Sequence, residues 1–227
     1  MIYKHLLSRK YQQISFSQCG EDLIIQYIFN SIGIKNPSYI DIGAHHPFYL
    51  NNTAIFSLTG SIGVNIEADP KLINRFRKLR QRDLNLNVGI TKIDGFKDLY
   101  LMSNPTLNTF SKKEAEEYQL TGDYEILNVL KIPTLCMRSL ITKYCNGVFP
   151  DFLSVDVEGI EMEIIEGIDI MLSYPKVICI ETMSFSKNGK GKKNTLLIEF
   201  IKQKGYILYA DTNINSIFVK KELWVNR

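Results

Sequence analysis

No stretch of this 227-residue sequence is apolar for long enough to span a bilayer, and residues 1–10 lack the unbroken apolar core of a secretory signal. The expectation is a cytoplasmic protein with no membrane partner. Cysteine is sparse: Cys19, Cys136, Cys145 and Cys179 form no C-x-x-C pair, which points away from a zinc ribbon or redox couple and toward reduced thiols used as small core residues. A dominant charge of one sign is also missing. Net charge is +3, too small to single out a polyanion, and no continuous basic, aromatic-lined stretch occurs, so no nucleic-acid partner is expected. With 45% hydrophobic and 22% charged residues the composition is that of an ordinary globular core, and no internal boundary is marked.

Glycine is scarce where a dinucleotide would need it. Tyr39-Ile40-Asp41-Ile42-Gly43-Ala44-His45-His46-Pro47 is a β-prone apolar run that turns at one glycine, whereas a pyrophosphate needs a second and third for close approach and helix packing. The Tyr-x-x-x-Lys pair of an NAD-dependent sugar epimerase or reductase is absent too. What is present is a series of strand-like runs ending in acids. Ser61 to Glu67 follows the first run, with Glu67 lying 24 residues beyond Gly43, the place of a carboxylate that accepts from a ribose diol. Phe152-Leu153-Ser154-Val155-Asp156 and Lys176 to Glu181 repeat the pattern. A ribose acid without a phosphate cradle suits S-adenosylmethionine (SAM), with Asp41 placed to take its ammonium group and Gly43 opening the turn.

In chain order, residues 1–33 read as an arm and a helix packed on the core, and residues 34–227 as the main domain. Asn51-Asn52-Thr53 is expected to cap a short helix ending at Gly60, and Asp69-Pro70 opens another running to about Arg80. The cations Arg75, Arg77, Lys78, Arg80 and Arg82 are read as the wet side of that helix. Leu84 to Ile90 is expected to be a third strand and its exit. Residues 91–132 carry no sustained apolar pattern and are taken as an insertion that shapes a substrate pocket, with Ser103 to Thr106 a turn within it. Tyr206 to Ala210 and Ser216 to Lys220 flank a turn-rich loop that fits an antiparallel hairpin. The expected fold is α/β, a Rossmann-like, doubly wound sheet of seven strands closed by a C-terminal antiparallel hairpin, the class I methyltransferase arrangement.

Several blocks also resemble a family. Ser17-Gln18-Cys19-Gly20-Glu21-Asp22, Ile40 to Ala44, Asn51-Asn52-Thr53, Asn65-Ile66-Glu67-Ala68, Asn87 to Ile90, Asn108-Thr109-Phe110 and Ser154 to Glu161 are similar, in order and spacing, to the FkbM-type methyltransferases. The Asp-x-Glu-Gly-x-Glu block is the most specific of them. The resemblance implies methyl transfer from SAM to a hydroxyl oxygen, often of a sugar or a polyketide-type natural product. It also implies that Gln18, Ala44, Asn52, Thr53, Ala68 and Asn87 join Asp41, Gly43, Glu67 and Asp156 around the cofactor, with Thr109 nearer the acceptor.

In-line methyl transfer needs an aligned acceptor oxygen and a base for its proton. The candidates for that base are Asp156 and Glu158, with His46 as rival; Glu161 is read as a first-turn partner of the helix dipole. His45 and Glu181 are placed with the acceptor, as are Lys187 and Lys190, whose basic loop could take the phosphates of a nucleotide-activated sugar. No metal site is assigned. The acids with His45 or His46 offer ligands to magnesium or manganese, but singly scattered ligands do not favour it. The leading reading is a sugar O-methyltransferase acting on a nucleotide-activated or polysaccharide-precursor sugar; the alternatives are a polyketide-type acceptor and a non-catalytic binding module.

Overall fold

The computed structural model describes residues 12–157, 159–184 and 191–227. Glu158, Lys187 and Lys190 lie outside the described residues, and so does most of the expected N-terminal arm. The first described helix, α1 (Glu21–Ser31), is followed by β1 (Tyr39–Ile42), α2 (Ala54–Thr59), β2 (Gly63–Ile66), α3 (Pro70–Leu79) and β3 (Leu84–Leu86). Next come β4 (Gly89–Ile90), β5 (Gly95–Met102), a 3-10 turn (Pro105–Leu107), α4 (Lys112–Leu120), β6 (Ile126–Leu135) and α5 (Met137–Tyr144). β7 (Phe152–Val155), α6 (Glu161–Glu166), β8 (Val177–Glu181), α7 (Thr195–Gln203), β9 (Tyr206–Asp211), β10 (Asn215–Lys220) and α8 (Lys221–Val225) complete the chain.

Seven strands form the central sheet in the order β3-β2-β1-β7-β8-β10-β9, with β10 antiparallel to both its neighbours. Every residue of β1, β2 and β7 is buried, which is why these strands read as short apolar runs without alternation. One apolar layer is built on Ile40, Ile42, Leu153, Val155 and Phe218; the other holds Tyr39, Phe152, Val177 and Ile217 against Ile25, Ile28 and Phe29 of α1. The chain leaves β1 toward β3 and returns to β7 on its other side, so strand order reverses between β1 and β7. A ligand crevice belongs at the carboxyl ends there.

Four expectations change. The third strand is β3, paired with β2, but its exit holds a further strand, β4, which joins a second sheet of order β4-β6-β5. The break falls at Asn87, whose Nδ2 donates to the carbonyls of Glu67 (2.9 Å) and Ala68 (2.8 Å) and so pulls the chain out of the sheet. Residues 91–132 are also more ordered than their pattern suggested, because β5 and β6 pair antiparallel over most of their length. Third, Asn51 and Thr53 do not cap α2 with their side chains. Cys136, expected in the core, is only partly buried and caps α5 by accepting from the Ser139 amide. No helix among the described residues is long and apolar enough to cross a membrane.

Candidate active site

A cavity of about 430 Å³ opens where β1, β2, β7 and β8 end, at the reversal of strand order. Its floor begins at Gly43, in the left-handed region at φ 75°, where an added Cβ would fall 1.7 Å from the Asp156 carbonyl oxygen. The missing side chain therefore lets the turns after β1 and β7 touch, and the Asp156 amide continues the contact by donating to the Ile42 carbonyl at 3.0 Å.

Glu67, 7% exposed, is held by the backbone on both sides. Oε2 accepts from the His45 amide at 2.9 Å and Oε1 from the Asp69 amide at 2.8 Å. Burial pushes its carboxyl up to about 7, and it faces the cavity next to Ala44, His45 and Ala68. Asp41 also lines the cavity, but its Oδ2 already accepts from Thr53 Oγ1 (2.7 Å) and Asn51 Nδ2 (2.9 Å), and burial raises its pKa. Thr53 itself is buried and does not reach the cavity, whereas Asn52 does, with Nδ2 donating to Ser154 Oγ at 3.3 Å. Asn87 supports the loop after β2 from behind.

Asp156 opens onto the cavity rather than into the packed interior. Its side chain is exposed to that space, but the protein atoms crowded around it desolvate the charged form; this, followed by the charges of Glu161 and Asp41, pushes its carboxyl up to about 7. Glu181, on the neighbouring strand end, shares a hydrogen bond with Asp156 and lines the same cavity. Glu161 folds back from the start of α6 to accept from the Gly159 amide at 3.1 Å, and Gly159 (φ 98°) has no room for a Cβ because the Glu114 carboxylate packs on it.

Gln18 reaches the cavity from a strap that two fully buried acids pin down. Asp22 accepts from Ser15, Ser17 and the Phe16 amide, while Glu21 Oε2 accepts from the Cys19 amide at 2.7 Å. Glu21 Oε1 accepts from Thr212 Oγ1 (2.7 Å) and Asn215 Nδ2 (3.0 Å), tying the strap to the β9–β10 loop, whose Asn213 and Ile214 also line the cavity.

Two further candidates, beyond Thr53 and Asn87, stand off the cavity. His46 is not a lining residue: its Nδ1 accepts from the Phe48 amide at 3.2 Å and its ring meets Tyr49 edge-on at 6.3 Å. Burial, helped by the Arg75 charge, lowers the His46 pKa. Thr109 is buried and off the cavity, hydroxyl toward Glu114, but its neighbours Asn108 and Phe110 line it. The apolar wall of Ile90, Leu99, Leu107, Phe110 and Ile160 was missed by sequence reasoning; Ile90, Phe110 and Ile160 lay in blocks that could have pointed to it, whereas Leu99 and Leu107 did not. Among the described residues no three His, Cys, Asp or Glu side chains gather where they could hold a metal ion.

Sheet order, the inverted β10 and a carboxyl-edge cavity define a class I methyltransferase fold. A family model described as the methyltransferase FkbM domain matches residues 41–208, so the chain belongs to the FkbM methyltransferase family. Among solved structures, methyltransferase FkbM from Methylobacillus flagellatus is 13% identical at a TM-score of 0.47, the match covering 94% of this chain and 46% of that one. This chain thus spans less than half of that protein. A TehB-like SAM-dependent methyltransferase from Corynebacterium glutamicum is 11% identical at a TM-score of 0.43, with 97% and 95% of the two chains covered. No curated protein matches the chain.

Proposed function

We propose that the protein transfers a methyl group from SAM to a hydroxyl of a sugar, one that is nucleotide-activated or a polysaccharide precursor. The observation that carries the cofactor reading is the charge of the cavity wall. Asp41, Glu67, Asp156 and Glu181 line it, and no lysine or arginine does among the described residues. A pyrophosphate would meet four carboxyl groups there and no cation, whereas a cofactor with a sulfonium, an ammonium and a ribose diol meets acceptors for each. Glu67, immobilised by two backbone amides, would take the diol with its remaining lone pairs. The apolar wall would cover the base, and Gln18, Asn52 and Asn213 supply neutral hydrogen-bonding groups suited to a polyhydroxylated acceptor.

When bound, SAM supplies an electrophilic methyl whose bond to sulfur breaks, leaving the electron pair on the sulfur. Asp156 would accept the acceptor's hydroxyl proton as the new carbon–oxygen bond forms, and Glu181 beside it would hold that carboxylate in place. Support for an oxygen acceptor comes from the family resemblance and from a base poised near neutral pH.

Calorimetric titration with SAM and with NAD tests the reading. Wild type is expected to bind SAM and not NAD, and Glu67→Ala, with its folding checked by thermal melting, to weaken SAM by at least roughly tenfold through loss of charge-assisted hydrogen bonds. Binding of NAD, or SAM affinity indifferent to the substitution, would overturn it. Nucleotide-sugars are then screened as acceptors.

A further inference from the structure

Exposed cations without an ion pair occur singly around the described surface, at Lys35, Lys131, Lys143, Lys221 and Arg227, but on α3 and just after it they form a dense run. Lys92, Lys112, Lys113, Arg138 and Lys202 each lie within 4.0 Å of an acidic partner: Glu166, Glu116, Glu117, Asp169 and Glu199 respectively. Lys71, Arg75, Arg77, Lys78 and Arg82 are exposed and, among the described residues, none has an ion-pair partner. Residues 70–82 contain no acid, and residues 51–64 contain no charge at all. Lys71, Arg75 and Lys78 fall at i, i+4 and i+7 on one face of the helix, a spacing at which like charges weaken it. Five unpaired positive charges are thus gathered on one flank at some cost to the helix that bears most of them.

Aliphatic side chains share that flank. Leu58, Ile62 and Leu79 are each 58% exposed and Leu84 is 40% exposed. They belong with the cations in space: Leu58, Lys78, Leu79 and Arg82 line one shallow cleft, and Arg82 donates to the Ser57 carbonyl. Five unpaired cations exclude a second copy of the chain by two-fold contact, since the same charges would face each other. Phosphates alone would leave the leucines and isoleucine uncovered. A surface with anionic headgroups over an acyl layer satisfies both sets of groups.

We infer that this flank, formed by α3 with the ends of α2 and the starts of β2 and β3, docks on the surface of an anionic lipid bilayer without crossing it. The expectation of no membrane partner rested on the lack of a spanning segment and on a small net charge; neither bears on surface docking, and the local grouping of cations points the other way.

Co-sedimentation with vesicles tests this. The full chain is expected to bind phosphatidylcholine–phosphatidylglycerol vesicles and to release them at high salt, and to ignore pure phosphatidylcholine. Each surface cation near such a membrane is worth about fivefold in affinity, so Arg75→Gln with Lys78→Gln should lower binding roughly 25-fold. Lys112→Gln with Lys113→Gln, removing two paired cations elsewhere, should change it less than about twofold. Leu58→Ser with Leu79→Ser should reduce vesicle binding while leaving retention on heparin intact. The inference falls if both kinds of vesicle bind equally, if neither binds, if the leucine variant binds vesicles as wild type does, or if RNA is bound and vesicles are not. SAM affinity measured on the same variants is expected to stay unchanged, which separates this surface from the cavity.

Discussion

Replacing Arg80 with alanine is expected to cost about 3–5 kcal/mol of folding stability, the range for breaking a buried ion pair from one side. Arg80 was read as one of a row of solvated cations, yet it is 3% exposed and its guanidinium is fully engaged. Nε donates to Asp83 Oδ2 at 2.8 Å, Nη1 to Thr53 Oγ1 (3.0 Å) and Asn51 Oδ1 (3.2 Å), and Nη2 to the Tyr39 hydroxyl. Asp83 in turn accepts from the Tyr39 hydroxyl (2.6 Å), the Gly63 amide (3.1 Å) and Asn65 Nδ2 (3.2 Å), so one substitution strands a buried carboxylate that ties β1 to β2. For a chain of this size each kcal/mol moves Tm by roughly 2–4 °C, which puts the expected drop at about 6–20 °C. Arg80→Lys should recover only part of it, because one ammonium cannot reproduce the fork. A surface cation would change stability by less than about 0.5 kcal/mol, and a result of that size would remove Arg80 from the core.

This network also marks where the sequence stops being readable. The runs that became β1, β7 and β8 were legible because strands buried on both faces are apolar throughout, and the turn-rich residues 211–215 announced the hairpin. The acidic strand ends were legible for the same reason, since Asp41, Glu67, Asp156 and Glu181 interrupt apolar runs and all four line the cavity. Arg80 was not legible: Asp83 stands only three residues on, but the other partners that bury the guanidinium, Thr53, Asn51 and Tyr39, lie 27, 29 and 41 residues away in the chain. Asn51 and Thr53 carried a capping pattern and instead hold Asp41, a choice made by tertiary contact. Only the end of β6, from Pro133, read as a strand; the rest escaped because one of its faces is open, leaving Leu127 64% and Val129 44% exposed and erasing the alternation that would have revealed it. His46 was proposed from its place beside Gly43, yet the left-handed turn at His45 (φ 53°) carries the chain past the cavity.

Asp156→Asn is expected to lower kcat by about 10²–10⁴-fold, the range for removing a positioned general base, with initial rates measured on whichever sugar the acceptor screen identifies. The substitution keeps shape and a hydrogen-bonding oxygen but cannot take up a proton. The pH profile separates this role from a structural one. A base must be deprotonated to act, and desolvation by the cavity walls with neighbouring negative charge has pushed this carboxyl up to about 7. Wild-type kcat should therefore rise as pH increases through about 7 and level off above it, falling tenfold per unit on the acid side. Because Glu181 shares a hydrogen bond with Asp156, that midpoint belongs to the two carboxyl groups together. In Asp156→Asn the rise should vanish, leaving a low rate nearly independent of pH in this range. If the variant keeps the wild-type profile at reduced amplitude, the proton goes to another group and Asp156 acts by position alone. Glu158 is then the next residue to replace.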